Sequence, residues 1–152
     1  MKMRLVVAAL SLSAAGFVGI LTHEGYRSNA YQPVSGDVAT IGFGTTSGVQ
    51  PSDTITPEKA VTLALADVER FETAVRGCVS VPLQQHEFDA FVSLTYNIGG
   101  SAFCGSTLVK KLNAGDYAGA CEQIKRWVYF KGQRLDGLIK RRNIEYQQCM
   151  GN

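Results

Sequence analysis

The sequence predicts an α+β fold, mostly helical, in two lobes: a small β-hairpin lobe and a larger helical lobe joined by one long helix. Three observations carry this. Two short runs rich in aromatic and β-branched residues, Tyr26–Tyr31 and Val38–Phe43, flank the turn-forming stretch Pro33-Val34-Ser35-Gly36-Asp37. Val61, Leu65, Val68, Phe71 and Val75 then recur at helical spacing through 57–76. From Pro82 to the C-terminus, further helical segments follow one another across glycine-containing turns.

Each element has its own signals. Gly42 and Gly44 flank Phe43, so the hairpin is expected to bend and to let other backbone approach closely. Thr56-Pro57-Glu58 reads as a helix start: threonine caps, proline fits the first turn, and glutamate complements the dipole. Gly77 is the expected stop. In the next helix Phe88, Phe91, Val92 and Thr95 form one face, and Gly99-Gly100 ends it. Shorter helices are expected over Thr107–Leu112 and Tyr117–Trp127, with Asn113-Ala114-Gly115-Asp116 as turn and cap. Gly137–Gln148 forms a last helix on which Lys140, Arg141 and Arg142 read as a solvated face, while Trp127, Tyr129 and Phe130 read as core. A site is expected in the cleft between the lobes.

A chain of 152 residues, 45% hydrophobic and 18% charged, suits one domain and excludes a disordered or fibrous class. A net charge of +2, without a basic run interleaved with aromatics, excludes nucleic acid as a partner. Cys78, Cys104, Cys121 and Cys149 form no CxxC pair and no histidine cluster accompanies them, which argues against zinc. They read as two disulfides of an exported chain or as four thiols of a cytosolic one. Spacing alone leaves all three connectivities open.

The N-terminus is basic, and the stretch Leu5–Leu21 is uncharged but only weakly hydrophobic, being rich in Ala, Gly and Ser. It lies at the short limit for spanning a bilayer, where about 20 residues are usual. Three readings follow: a cleaved signal peptide with Ser13-Ala14-Ala15 as the processing site, an uncleaved signal anchor, or a buried N-terminal helix. The first two carry the chain across the inner membrane, with Lys2 and Arg4 left on the cytoplasmic side. Residues 1–21 then form a membrane-active segment and 22–152 the folded domain.

Directly behind that segment stands Glu24. A carboxyl at the end of an apolar helix is partly desolvated, which favours its protonated form and suits a general acid. Asp37 lies in a Ser-Gly-Asp turn and Thr40 at the start of the second strand, each with an ordinary structural explanation. Together, two acids and a hydroxyl on a helix–hairpin unit match the parts of a glycosidase. No GxSxG accompanies His23 or His86, and the GFG of Thr40–Gly44 lacks the rest of a phosphate loop.

In this order the pieces His23-Glu24-Gly25, Thr40-Ile41-Gly42-Phe43-Gly44-Thr45-Thr46, Phe88 to Gly99, Arg126-Trp127-Val128-Tyr129 and Arg141-Arg142 resemble the phage lysozymes, the endolysin muramidases. The resemblance runs over about residues 17–150. It implies a lysozyme-like fold and hydrolysis of the β-1,4 bond from N-acetylmuramic acid to N-acetylglucosamine in peptidoglycan, without metal or cofactor. It implies Glu24 as general acid, Thr40 as the active-site hydroxyl, and Thr46, Tyr96, Asn97 and Thr107 along the sugar groove. The chain departs from the family at the aspartate: the expected stretch holds Pro33 and Val34 and no acid, which leaves Asp37 as the second carboxylate or as a plain turn residue. The resemblance further implies the pairs Cys121–Cys149 and Cys78–Cys104, a monomer acting on glycan strands, and a signal-arrest-release type. In that type the N-terminal segment first sits in the inner membrane and then leaves it for the periplasm. A lytic transglycosylase needing only Glu24, and an inactive wall-binding module, remain the alternatives.

Overall fold

The computed structural model describes residues 3–152; Lys2, one of the two cations expected on the cytoplasmic side, lies outside the described residues. Helix α1 (Ala14–Glu24) leads into strands β1 (Arg27–Tyr31) and β2 (Thr40–Gly42), and the long α2 (Pro57–Cys78) crosses to the helical lobe. There α3 (Gln85–Ile98), α4 (Gly100–Cys104), α5 (Thr107–Asn113), α6 (Tyr117–Ile124) and α7 (Asp136–Met150) pack around one core, with the small hairpin β3 (Tyr129–Phe130) and β4 (Gln133–Arg134) before α7.

β1 and β2 pair antiparallel, Arg27 opposite Gly42 and Tyr31 opposite Thr40, with an irregularity between. This is the bend the glycines predict. A side chain on Gly42, at φ 64°, would meet the Ala60 Cβ at 3.0 Å, so the bare glycine backbone lets the hairpin sit on α2. α2 starts as expected: the Thr56 hydroxyl accepts from the Lys59 N–H at 3.3 Å, with Pro57 in the first position. It ends at Cys78, one residue past the expected Gly77. Glycine costs a helix about 1 kcal/mol relative to alanine. Tertiary contacts offset that here: Cys78 is bonded to Cys104, and the Asn113 amide donates to the Cys78 carbonyl at 2.8 Å.

α3 is the central helix. Gln84 and Glu87 cap it reciprocally, and Phe88, Phe91, Val92 and Leu94 are fully buried. Gly99, at φ 89°, ends it, but α4 begins at once, a short helix the paired glycines hide. Cys78–Cys104 ties α2 to α4, and Cys121–Cys149 ties α6 to α7.

Two expectations fail in the C-terminal third. Tyr129 and Phe130 are 64% and 45% exposed rather than core, because a two-residue turn with positive φ at Lys131 and Gly132 folds them into a hairpin that stands off the domain. The stretch Lys140–Arg142 is not a solvated face. Lys140 is exposed, but Arg141 and Arg142 are 7% and 0% exposed, turned inward because carboxylates await them there.

The uncharged N-terminal stretch is broken into pieces. Leu5 pairs with Leu83 through two backbone hydrogen bonds, Val7–Ala9 form a 3-10 turn, and α1 begins only at Ala14. α1 thus runs through position 21 and carries Glu24 at its end. Among the described residues no helix is long and apolar enough to cross a membrane.

Candidate active site

Glu24 is delivered by the end of α1. Ile20 anchors that helix in the core with no exposure, and Gly25, at φ 69°, terminates it with its N–H on the Leu21 carbonyl at 3.0 Å. The Glu24 side chain is 18% exposed. Its Oε1 accepts from Arg141 Nη1 at 2.5 Å. Its Oε2 faces Gly44, where a Cβ would lie 3.2 Å away, so a glycine at this point of the hairpin admits the carboxylate. One carboxylate oxygen is therefore held by a cation and the other is turned toward the hairpin.

Arg141 is itself fixed. It donates to Glu145 Oε1 at 3.0 Å and to the Ser93 carbonyl at 3.2 Å. The Ser93 hydroxyl donates to the same Glu145 oxygen at 2.7 Å. Arg142 pairs with the same carboxylate, its Nε 2.8 Å from Glu145 Oε2 and its Nη2 donating to Glu145 Oε1 at 3.3 Å, and it donates to the Asn97 side chain at 2.9 Å. Burial pushes the Arg142 guanidinium down to about 10, opposed by Glu145, so it remains a cation near neutral pH. Two arginines and two glutamates balance at the joint of α1, α3 and α7.

Tyr96 closes the floor. Its hydroxyl donates to the Phe43 carbonyl at 2.8 Å, bridging α3 to the hairpin. Burial, then the carboxylates of Asp67 and Glu24, hold this phenol well above its ordinary value, so it stays a neutral donor. His23 is held below its ordinary value, by burial first and then by Arg141, and is neutral at neutral pH.

Glu24, Thr40, Thr46, Tyr96 and Asn97 line one cavity of about 410 Å³ between hairpin, α2 and α3. Thr40 is 6% exposed and its hydroxyl donates to the Val38 carbonyl at 3.3 Å. A neighbouring cavity of about 610 Å³ is lined by residues 24–31 and meets the central one at Glu24 and Tyr31. Thr107 lies apart, in a cavity of about 370 Å³ with Trp127, Gln123 and Arg126. Asp37 lines none of these cavities. Its N–H donates to the Val34 carbonyl at 3.0 Å and its carbonyl accepts from the Gln32 amide at 2.9 Å, the contacts of a turn residue.

Three residues escape sequence reasoning, Arg141 buried behind Glu24 and Asp67 and Arg70 on the cavity wall. Arg141 is hidden in a basic run, although Glu145 stands one turn on, at ion-pair spacing. Asp67, which accepts from the buried Thr45 hydroxyl at 2.7 Å, and Arg70 lie on the face of α2 that only the hairpin's position turns into a cleft wall.

The family model described as phage lysozyme matches residues 21–145. The chain belongs to the phage lysozyme family. It is thereby a glycoside hydrolase of the lysozyme class. The chain is 41% identical over 140 residues to an endolysin of Acyrthosiphon pisum secondary endosymbiont phage 1, covering 90% of this chain and 95% of that one. It is 37% identical to the SAR-endolysin of Pseudomonas phage phiKMV, over 94% and 89% of the two chains. Among solved structures, the muramidase domain of SpmX from Asticaccaulis excentricus superposes with a TM-score of 0.85 at 33% identity, over 92% of this chain and 97% of that one. The endolysin from Escherichia coli O157:H7 phage FAHEc1 gives 0.82 at 37%, over 99% and 96%. The two-lobed, mostly helical fold expected from sequence is the one these relatives share.

Proposed function

We propose that this phage lysozyme is an endolysin that cleaves the β-1,4 bond between N-acetylmuramic acid and N-acetylglucosamine in peptidoglycan, with Glu24 as general acid. The observation that carries the reading is the setting of Glu24 where two cavities meet, one oxygen clamped by Arg141 and the other turned toward the hairpin. A glycan strand laid along both cavities brings a glycosidic oxygen past that second oxygen. Glu24 protonates it, the bond to the anomeric carbon breaks, and the Arg141 cation offsets the carboxylate charge left behind. Water near the Thr40 hydroxyl attacks the anomeric carbon, its oxygen forming the new C–O bond and its proton passing to solvent, from which Glu24 is reprotonated for the next cycle. Thr46, Tyr96 and Asn97 bind sugar in the central cavity, and Thr107 with Trp127 extends contact along the helical lobe.

Asp37 is the second carboxylate in this scheme only if the turn 33–37 swings toward the cavity on substrate. Its place outside the cavity supports a second reading, a single-acid lytic transglycosylase. Mass analysis of the released fragments separates the two: reducing ends mark hydrolysis, anhydro ends the alternative. Asp37→Asn with full activity and reducing ends removes Asp37 from the mechanism.

The chain is further proposed to cross the host inner membrane with Leu5–Leu21 uncleaved and held in lipid before release, as a monomer. Several contacts support an intact N-terminus in the active form. Ser13 donates through both its N–H and hydroxyl to buried Asp89, the Leu12 N–H donates to Glu72, Arg76 donates to the Leu10 carbonyl, and Arg4 pairs with Glu87. While residues 5–21 lie in lipid, none of these can form and α1 cannot seat Glu24. Intact mass of the soluble, active enzyme tests this: a start near Met1 supports it, and a start near Gly16 contradicts it.

A further inference from the structure

The groove continues beyond the central cavity. A third cavity, about 430 Å³, shares Arg70 and Phe71 with it and is otherwise walled by Ala74, Gly100, Ser101 and Cys104. Arg70 therefore stands at the junction. Its side chain is 60% exposed. Among the described residues it makes one hydrogen bond, a long one of 3.4 Å to Asp67 Oδ1, and its guanidinium lies 5.0 Å from the Phe71 ring centre. Asp67 does not depend on it, because its other oxygen takes the Thr45 hydroxyl at 2.7 Å. An arginine has five N–H donors arranged to grip a carboxylate. Most of those of Arg70 are left over, at the edge of a mainly apolar hollow that opens from the cleft.

Neutral sugar rings give no use for the guanidinium donors that Arg70 has left beyond its one long bond to Asp67. The peptide stem that hangs from the muramic acid lactyl group does, since it carries carboxylates beside small methyl side chains. We propose that Arg70 is a specificity residue that binds a stem carboxylate, while the third cavity takes the adjoining apolar part of the stem. The inference rests on the peptidoglycan reading above. A pair at a site this exposed, partly shielded by Phe71, is expected to change binding by about twofold to fivefold and to weaken with salt.

The test crosses enzyme with substrate. Wild type, Arg70→Gln and Arg70→Lys are assayed on purified sacculi and on the same sacculi after conversion of the stem carboxylates to amides. The proposal expects Arg70→Gln to raise the apparent KM about twofold to fivefold on native sacculi, with kcat little changed and Arg70→Lys in between. On amidated sacculi wild type and Arg70→Gln become equal. An equal loss on both substrates, a loss in kcat alone, or no loss at all overturns it. If wild type releases no glycan from native sacculi, the peptidoglycan reading fails and the stem proposal with it. If wild type is active and only the substrate dependence is missing, the stem proposal alone fails.

Discussion

At the scale of single residues, Arg141 decides how Glu24 is presented. It is 7% exposed and bridges the acid to Glu145, so removing it leaves Glu24 without its cation and takes one donor from Glu145, which keeps Arg142 and Ser93. Breaking a buried ion pair by deleting one partner costs about 3–5 kcal/mol. Arg141→Gln is therefore expected to lower thermal stability markedly and to cut kcat on sacculi by at least about tenfold; a variant with near wild-type kcat would remove Arg141 from the site. Arg141 also acts on His23, whose imidazole is held below 6.5 by burial and by this cation. The unfolded chain takes up that proton first as pH falls, so the stabilising contribution is complete above about 6.5 and is lost below it. Thermal midpoints measured from about pH 7 to pH 5 should fall less steeply for His23→Gln than for wild type. Gly44 makes a third case. An alanine there meets Glu24 Oε2 at 3.2 Å on a backbone of φ 93°, so Gly44→Ala should lose activity well beyond its loss of stability.

At the scale of elements, the hairpin and the long helix are legible because each has a period and a boundary signal: turn residues at 33–37, a threonine–proline–glutamate start at 56–58. The third strand and fourth strand are not, since two residues each give no period at all. The inward turn of Arg141 and Arg142 is hidden for another reason. A basic run on a helix is ordinarily solvated, and only the tertiary placement of Glu24 and Glu145 against α7 reverses it. That Glu24 and Thr40 share one cavity follows the motif; the absence of Asp37 from it is not legible, because the turn's direction is set by contacts such as the Gln32 amide on the Asp37 carbonyl. α1 shows how one element joins two functions. Its first turn is capped by Ser13 and locked to Asp89, and its last residue is Glu24, the proposed acid. Asp89→Ala should cost about 1–3 kcal/mol, the expense of unsatisfied buried donors. It should also lower activity through a loosened α1, read as a lower thermal midpoint together with a lower kcat.

At the scale of the whole molecule, two lobes enclose a groove and two disulfides staple the larger lobe. The loops they close, 26 and 28 residues of separation, imply about 3–4 kcal/mol each by the chain-entropy argument. Neither lines the two cavities that meet at Glu24, so reduction should lower the thermal midpoint while leaving the setting of Glu24 in place. The groove itself follows from packing: α2 carries the hairpin over α3, and three cavities join along that seam through Glu24, Tyr31, Arg70 and Phe71. A polymer substrate fits that continuity better than a small ligand would.

The central claim is that Glu24, presented by an intact α1, is the acid that cuts peptidoglycan. Release of soluble glycan from purified sacculi by wild type and by Glu24→Gln tests it most directly. The account predicts that Glu24→Gln folds with a thermal midpoint near that of wild type and loses at least about a hundredfold in rate, the contribution of a positioned general acid. A folded Glu24→Gln that clears sacculi at a rate near wild type would contradict it.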